Sequence, residues 1–442
     1  MRFAGFSRCL QVAAVIGLMA GAAPVATAVA APVAGIQSAD EIAIAAAIRD
    51  QARGEIKAFY AARSFQPLWS VDGAILPETA ALLDNLASAR LDGLKPSSYK
   101  PQKLQAAIAA AHSRDPRAIA RAEIRLSIAF ARYVGDLRKP RKGGSDMVWL
   151  DPKLKPGKPD TTTVLRAAAL SQPFGDYVAT MGWMSPHYTR LRGLLARAEA
   201  MDSDDETLRR LRRNLDRARV LPGPWTHHVV VDAAVGRLWF YQAGKQLGTM
   251  KVVVGRAETP TPMLAGMLQY AVLNPYWNVP VDLAQTLIAP KVLAGRSLKS
   301  MGFEALSDWS SAPQRLSPRA IDWPAVADGR QELRLRQLPG GGNSMGRVKF
   351  MFPNDDGIYL HDTPDRALFG HEARHFSNGC VRLEDAAMLG KWLLGRPIRS
   401  AGRQPEQAVP LMAPVPVYLT YFTATDSGGG VVFREDVYGR DR

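Results

Sequence analysis

The sequence predicts an α+β fold in which a mainly helical N-terminal part is followed by a β-rich C-terminal part. Residues 41–222 carry apolar side chains at helical spacing, as at Leu82 and Leu86. After the Pro- and Gly-containing run 221–224, the pattern changes to short apolar runs of the strand type. We therefore expect a helical domain over 41–222 and a β-rich domain over 223–442, each long enough to bury a core of its own.

The N-terminus has the layout of an export signal. Arg2 and Arg8 precede an apolar stretch over 10–23, and small residues follow it. We predict a signal peptide over 1–30 and a linker over 31–40, with an uncleaved membrane anchor as the alternative. No later run is long and apolar enough to cross a bilayer, so the mature form is predicted to have no transmembrane span.

The composition is strongly basic. The formal net charge is +15 at pH 7, and removing the leader with Arg2 and Arg8 lowers it to +13. Such a charge favours an anionic partner, for example an acidic cell-wall polymer, lipid head groups or nucleic acid. Export from the cytoplasm argues against nucleic acid, so the charge indicates a partner in the cell envelope.

Two helical regions of the first domain can be placed in more detail. Asp115 and Pro116 are an N-cap and a first helical residue, and this helix is predicted to end before Gly135. A further helical region covers 188–219. The residues expected on its solvated face are Arg209, Arg210, Arg212, Arg213, Arg217 and Arg219.

One cysteine remains once the leader is removed. Cys9 lies inside the leader, and Cys380 follows the small, turn-forming residues Ser377, Asn378 and Gly379. A lone thiol in an exported protein forms no internal disulfide, so it either packs in a core or does chemistry. A tight turn is a poor setting for a core residue, and Cys380 is therefore predicted to be the reactive nucleophile.

A base for this thiol is expected at His361, which ends an alternating apolar–polar run. His361 would take the proton of Cys380 and later return it to a leaving amine. Tyr359 lies on the same strand face by period-two alternation and is expected to assist. Backbone N–H groups of residues 377–380 are expected to hold the oxyanion of a tetrahedral intermediate. Arg382 either binds a substrate carboxylate or braces the loop, and both interpretations stay open.

These residues resemble a known family. The runs 358–364, IYLHDTP, and 376–382, FSNGCVR, resemble the active-site signature of L,D-transpeptidases with a YkuD-type catalytic domain. Many of those relatives have histidine where this chain has Asn378, a change expected to alter the oxyanion turn and to leave His361 as the base. Segments similar to the large, scaffold-bearing YcbB-like subfamily lie at 59–60, 65–69, 253–256, 274–280, 346–354 and 437–441.

The resemblance implies a substrate and a reaction. Cys380 is expected to attack the bond between meso-diaminopimelate and D-alanine in a peptidoglycan tetrapeptide stem, and the amine of a second stem then forms a 3→3 cross-link. Carbapenem β-lactams are the implied inhibitors because they acylate the same cysteine in this family. No cofactor and no metal are implied. The implied location is the periplasm or cell envelope, with a role in cell-wall organisation and cell shape.

The resemblance also implies a cap over the site. Residues 281–345 are expected to be a capping insertion in the β-rich domain, since a segment of that length is often a lid or a binding loop. Tyr276 and Trp277 either line the substrate groove or pack in a core, as strand aromatics usually do. The stretch 190–225 is too short for the small peptidoglycan-binding domain that many large relatives carry, so polymer binding is expected to rest on the scaffold and the net charge.

Other functions stay open from the residues alone. Residues 371–375 match the H-E-x-x-H motif of zinc peptidases, although Gly370 before it and Ser377 after it leave little room for the helix that this motif needs. The acyl-enzyme could also be resolved by water, giving an L,D-carboxypeptidase, or by another amine. A cell-wall-binding protein with an inactive site is the non-catalytic alternative, which the presence of both His361 and Cys380 opposes.

Overall fold

The computed structural model describes residues 38–139, 141, 145–399, 404–426, 428 and 430–441. The predicted signal peptide over 1–30, which includes Cys9, and most of the predicted linker over 31–40 lie outside the described residues. Within the described ranges, no helix combines the length and the apolar character needed to cross a bilayer.

The first part of the chain is mainly helical, which confirms this element of the predicted fold class. Its helices each bury an apolar face in a shared core that includes Leu126 and Phe130. They are α1 Ala39–Gln51, α2 Gly54–Ala62, α3 Thr79–Ala87, α4 Pro101–Ala111, α5 Pro116–Arg138, α6 Thr161–Leu170, α7 Phe174–Ala179, α8 Pro186–Ala200 and α9 Asp205–Arg219. Short strands lie between them: β1 Ser70–Val71, β2 Ala74–Ile75 and β3 Val148–Trp149.

Helix α5 runs further than the sequence predicts. Asp115 caps its first turn through the side chain, as expected. The predicted end before Gly135 is wrong, because the helix continues to Arg138. Val134 and Leu137 are both buried in the core. The free energy gained by burying these two side chains exceeds the cost of a glycine inside a helix, which is about 1 kcal/mol.

The helical region predicted over 188–219 is a pair of helices, α8 and α9, with a break at residues 201–204. Asp204 starts the second helix, because its carboxylate accepts the Thr207 N–H at 2.8 Å. The break turns the chain back on itself, and the two helices pack against each other.

Two arginines of α9 lie in a different environment from the one that the sequence predicts. Arg217 and Arg219 are buried, so their predicted place on the solvated face is wrong. Arg217 forms an ion pair with Asp441, and Arg219 pairs with Asp216 and donates to the backbone oxygen of Asp92. A buried guanidinium needs such partners, and those of Arg217 come from a remote part of the sequence.

Asp92 is a fully buried carboxylate at the centre of the helical domain. It accepts hydrogen bonds from the Tyr133 hydroxyl at 2.8 Å, from the Tyr188 hydroxyl at 2.7 Å and from Arg192 Nε at 2.8 Å. The Arg192 side chain is only 12% exposed, so the pair is largely shielded from water. One acidic residue therefore ties α5 and α8 to the turn that follows α3.

Replacing Asp92 by asparagine is expected to lower the free energy of unfolding by about 3 kcal/mol, because Arg192 is then left as a buried, unpaired charge. Urea denaturation of the two proteins measures this difference. The matched control is Asp426→Asn, since the Arg197–Asp426 pair is about half exposed on both sides. That variant is expected to change the free energy by less than about 1 kcal/mol. Equal losses in the two variants would contradict the role given to Asp92.

The second part of the chain is rich in strands, which confirms the rest of the predicted fold class. Its elements are β4 His228–Asp232, β5 Arg237–Gln242, β6 Lys245–Gly255, β7 Leu264–Leu273, β8 Trp277–Val279, α10 Val281–Leu283, a π-helical turn Ala284–Ile288, α11 Ala289–Leu293, β9 Phe303–Leu306, β10 Arg315–Leu316, α12 Trp323–Ala327, β11 Arg334–Gln337, β12 Val348–Met351, β13 Leu360–His361, β14 His375–Ser377, β15 Val381–Leu383, α13 Ala386–Leu394, β16 Gln407–Thr420, β17 Ala424–Asp426 and β18 Val431–Phe433.

The main sheet closes on itself. Its order is β12-β13-β15-β6-β5-β4-β16-β7, and β7 also pairs with β12. Most of these pairs are antiparallel, but β13 runs parallel to β15 and β16 runs parallel to β4. Because the sheet is closed, each of these strands pairs with a neighbour on both sides, and none of them is an open edge. The neighbours of β13 and β15 therefore fix the positions of these two strands.

A second, smaller sheet stands apart from the closed one. Its order is β10-β9-β11-β8, and it packs with α11 and α12 around a separate apolar core that includes Ile288, Val326 and Leu335. These elements come from the segment predicted as an insertion over 281–345, together with β8 just before it. The segment therefore has its own core and is more than a long loop.

Candidate active site

The register between β13 and β15 places the predicted site residues on one face of the sheet. Leu360 lies opposite Val381, and both are buried in the main core. Successive side chains in a strand point to opposite faces, so His361 and its partner Arg382 point away from that core. Tyr359 and Cys380 lie one step before the buried pair and point the same way. The Val381 N–H donates to Tyr359 O at 3.1 Å, which joins the two segments there.

A cavity of about 560 Å³ lies over this face. The structure brings together in its lining the predicted residues Tyr276, Trp277, Tyr359, His361, Ser377, Asn378, Cys380 and Arg382. Gly379 is buried in the same turn as the cysteine and does not line the cavity. Leu283 and Leu287, from the segment predicted as an insertion, also line the cavity.

Lys349 is a lining residue that the sequence analysis missed. It lies on β12 directly opposite His361, and its Nζ donates to Glu406 at 3.2 Å. The alternation of apolar and polar residues in Val348–Met351 could have indicated that Lys349 faces away from the core, because it lies between the buried Val348 and Phe350. The pairing with β13 shows which face of the sheet that lysine occupies.

Residues 377–380 form a tight turn, called here the cysteine turn. Ser377 Oγ donates to Cys380 O at 2.6 Å and accepts the Gly379 N–H at 3.2 Å. Gly379 has a φ of 110°, and a Cβ there would lie 2.9 Å from the side chain of Ile358. Only glycine fits this backbone conformation, so the turn that presents the thiol depends on Gly379.

The thiol of Cys380 is protonated at neutral pH. Its Sγ donates to Gly357 O at 3.5 Å. Burial raises the pKa of Cys380 to about 11, although the hydrogen bonding with Tyr359 and the positive charge of Arg382 act to lower it. The sulfur therefore rests as a neutral thiol in the lining of the cavity.

His361 is buried and neutral. Its Nδ1 lies 2.6 Å from Asp362 O, and a carbonyl oxygen accepts only, so Nδ1 carries the proton and Nε2 keeps its lone pair. Burial, followed by the positive charges of Arg382 and Lys349, lowers the pKa of His361 to about 3. The pair of Cys380 and His361 thus rests as thiol and imidazole, not as thiolate and imidazolium.

This neutral resting pair predicts the pH dependence of Cys380 alkylation by iodoacetamide. With the pKa near 11, the thiolate fraction at pH 7 is on the order of 10⁻⁴, so the rate should rise about tenfold per pH unit from pH 7 to 10. Intact-mass measurement of the labelled protein gives the rate, and Cys380→Ser controls for labelling elsewhere. A rate that is already constant above pH 6 would show a thiolate–imidazolium pair and contradict this description.

Asn378, the residue that departs from the resembled signature, is exposed beside the thiol. Its Oδ1 accepts a hydrogen bond from Arg256 Nη2 at 2.6 Å. Arg256 also donates its backbone N–H to Ser377 O at 3.0 Å. The asparagine side chain is therefore oriented by an arginine from the neighbouring loop.

Tyr276 and Trp277 line the cavity and also contact neighbouring side chains, so a role in the substrate groove stays a prediction. The guanidinium of Arg336 lies 4.2 Å from the ring centroid of Tyr276. Trp277 packs against Phe303 with ring centroids 6.1 Å apart. Each ring is partly exposed towards the cavity.

Comparison with known families agrees with this geometry. Residues 54–195 match the family described as a scaffold domain, and residues 226–415 match the YkuD family, described as an L,D-transpeptidase catalytic domain. The chain therefore carries a YkuD-type L,D-transpeptidase catalytic domain, preceded by a scaffold domain. A Haemophilus influenzae protein provisionally named an L,D-transpeptidase is 25% identical over 393 residues, which is 87% of this chain and 77% of the relative.

Two solved structures of L,D-transpeptidases show a weaker likeness. The Ldtfm–avibactam carbamoyl enzyme gives a TM-score of 0.23 at 14% identity, over 46% of this chain and 50% of its own. An L,D-transpeptidase from Mycobacterium smegmatis gives a TM-score of 0.23 at 12% identity, over 44% of this chain and 58% of its own. This chain thus spans about half the length of each, and so low a score bears on neither the site nor the substrate.

In this L,D-transpeptidase domain, the H-E-x-x-H match over 371–375 does not form a helix. A 3₁₀ turn, Arg366–Gly370, ends before His371, and His375 begins strand β14. His375 Nε2 lies 3.0 Å from Ala233 O, away from His371. The motif needs its two histidines one helical turn apart, so the zinc interpretation lacks the structural context that it requires.

Proposed function

We propose that this chain is a peptidoglycan L,D-transpeptidase that forms 3→3 cross-links through Cys380. The observation that carries the proposal is the arrangement of Cys380, His361 and Arg382 on one face of the sheet, in the lining of one cavity, within a domain of the L,D-transpeptidase family. A thiol and an imidazole in one cavity provide the nucleophile and the base of acyl transfer. The proposed reaction requires no cofactor.

The first half of the proposed reaction acylates the enzyme. The Cys380 proton passes to His361 Nε2 as the sulfur attacks the carbonyl carbon that joins meso-diaminopimelate to D-alanine. N–H groups of the cysteine turn, residues 377–380, stabilise the oxyanion. When the intermediate collapses, the C–N bond breaks, His361 returns the proton to the amine, and D-alanine leaves. A thioester remains on Cys380.

The second half transfers the acyl group to another stem. The side-chain amine of the acceptor's third residue attacks the thioester carbonyl and loses a proton to His361. The C–S bond then breaks, and His361 returns a proton to the Cys380 sulfur, so the resting thiol and imidazole are restored. Water in place of the amine gives the L,D-carboxypeptidase reaction, and other amines give transfer to other acceptors.

Charged groups in the cavity support a substrate with free carboxylates. Arg382 Nε is buried and has no hydrogen-bond partner among the described residues. Lys349 lies across His361 from Arg382 on the neighbouring strand. Two cations that flank the base suit the carboxylates of a peptidoglycan stem, which favours binding over bracing as the role of Arg382.

We further propose that the chain works in the periplasm or cell envelope and is inhibited by carbapenems. The leader-like residues 1–30 and the net charge of +15 support the location. A carbapenem ring offers a strained amide carbonyl to the Cys380 thiol, and ring opening leaves the whole inhibitor on the sulfur. The protein mass should therefore increase by that of the intact carbapenem in the wild type and stay unchanged in Cys380→Ala.

The proposed reaction is tested by mass spectrometry of products after incubation with a disaccharide-tetrapeptide. A tetrapeptide–tripeptide dimer, lighter than two monomers by one D-alanine and absent with Cys380→Ala, is the expected result. Tripeptide monomer alone would replace the proposal by the carboxypeptidase alternative. Unchanged substrate in both samples, repeated with cell-wall sacculi, would favour the wall-binding alternative.

A further inference from the structure

The loop that follows β6 forms hydrogen bonds to the cysteine turn. This bracing loop, residues 255–261, contacts the turn through both backbone and side chain. The Arg256 N–H donates to Ser377 O at 3.0 Å, and Thr261 Oγ1 donates to Gly379 O at 2.8 Å. The two carbonyls belong to residues on either side of Asn378, so a shift of the loop is expected to move the turn that carries the thiol.

Tyr438 closes the bracing loop. Its hydroxyl donates to Gly255 O at 2.5 Å and accepts the Thr261 N–H at 3.4 Å. The Tyr438 ring stacks on Tyr421, with centroids 4.9 Å apart and an interplanar angle of 21°. One hydroxyl thus joins the first and last residues of the loop, while the ring is held separately by its stacking partner.

The segment that carries Tyr438 is anchored on helix α9 of the scaffold domain. Arg217 Nη1 donates to Asp441 Oδ1 at 2.8 Å, and Arg210 Nη2 donates to Asp441 Oδ2 at 3.0 Å. The exposed fraction is 1% for the Arg217 side chain and 4% for that of Asp441. Breaking a pair this deeply buried leaves an unpaired charge, so the anchor holds the segment firmly.

We infer that Tyr438 is a positioning residue for the cysteine turn and that helix α9 acts on this turn through Asp441. Hydrogen bonds join α9 to Asp441, Tyr438 to the bracing loop and the loop to the turn, and the short chain segment 438–441 links Asp441 to Tyr438. The Tyr438 hydroxyl does not line the cavity, so its effect on the reaction passes through the loop. The scaffold domain then helps to shape the active site in addition to any role in holding the polymer.

Tyr438→Phe removes the hydroxyl and keeps the stacked ring. We expect the kcat of cross-linking to fall roughly tenfold with KM within about twofold, since a lost hydrogen bond loosens the turn without touching bound substrate. The matched control is Tyr241→Phe, a buried tyrosine whose hydroxyl contacts His187 and lies outside the path. The control is expected to keep the wild-type kcat. Equal losses in the two variants would show a general effect of stability and overturn the inference.

A second readout does not depend on the proposed function. A looser turn exposes the Cys380 thiol to water and lowers its pKa, so iodoacetamide should label Tyr438→Phe about threefold faster than wild type at pH 8. Asp441→Asn should shift labelling in the same direction, whereas the exposed-pair variant Asp426→Asn should not. Wild-type labelling rates in both Tyr438→Phe and Asp441→Asn would overturn the inference. A wild-type protein that forms no cross-link would overturn only the proposed function.

Discussion

Replacing Cys380 by serine is expected to remove cross-linking altogether, with a loss in kcat on the order of 10⁴ or more. A hydroxyl is far harder to deprotonate than a thiol, and the neutral His361, with its pKa lowered to about 3, is too weak a base to compensate. Serine fits the space of cysteine, so the turn through Gly379 should be kept. The loss is therefore expected in the chemical step and not in folding.

Product analysis by liquid chromatography and mass spectrometry measures this loss, and thermal unfolding shows whether the variant still folds. The expected pattern is an unchanged unfolding temperature with neither dimer nor tripeptide formed. Release of D-alanine by Cys380→Ser at the wild-type rate would contradict the assignment of the nucleophile.

Replacing His361 by asparagine is expected to lower kcat by about 10² to 10⁴ while KM stays close to that of the wild type. The asparagine amide can still donate to Asp362 O, as Nδ1 does now, but it has no basic nitrogen to take the thiol proton. Steady-state kinetics with a tetrapeptide donor gives both constants. The effect is confined to proton transfer because the fold around β13 keeps its hydrogen bond.

His371→Asn is the matched control for this variant. His371 is exposed, belongs to the H-E-x-x-H match, and does not line the cavity. It is expected to keep the wild-type kcat, whereas a zinc peptidase would lose its metal and its activity. A large loss in His371→Asn together with normal activity in His361→Asn would reverse the assignment of the base and restore the zinc interpretation.

The sequence was sufficient for the features that depend on local pattern. The change from helical to strand spacing near residue 221 predicted the fold class. The turn-forming residues before Cys380 and the alternation before His361 predicted which side chains would meet in one cavity. An insertion over 281–345 was expected from the resemblance and from the length of the segment, but the separate core around Leu335 could not be predicted.

What the sequence could not supply depends on contacts between distant residues. The local pattern predicts an exposed Arg217, because its partner, Asp441, lies 224 positions further along the chain. The same kind of pattern predicts a helix end at Gly135, because it does not contain the tertiary packing that buries the neighbouring residues. Lys349 joins the site only through its register with His361.

The charge state of the resting pair is another property that sequence could not give. The same cysteine and histidine would form a thiolate–imidazolium pair in a more open, electropositive site. Here burial favours the neutral form of both groups, because each charged form would lose its hydration. The residue types predict the class of reaction. The burial of Cys380 and His361 decides whether the proton lies on the sulfur or on the imidazole.

The most direct measurement is the intact mass of the mature protein after brief incubation with a tetrapeptide stem and an acid quench. If Cys380 is the nucleophile, the protein gains the mass of the stem less one D-alanine, and peptide mapping places the adduct on the peptide that contains Cys380. The adduct should be absent from Cys380→Ser. An adduct on another residue, or D-alanine release by a chain that never carries an adduct and that a chelator inactivates, would contradict the proposed thioester mechanism.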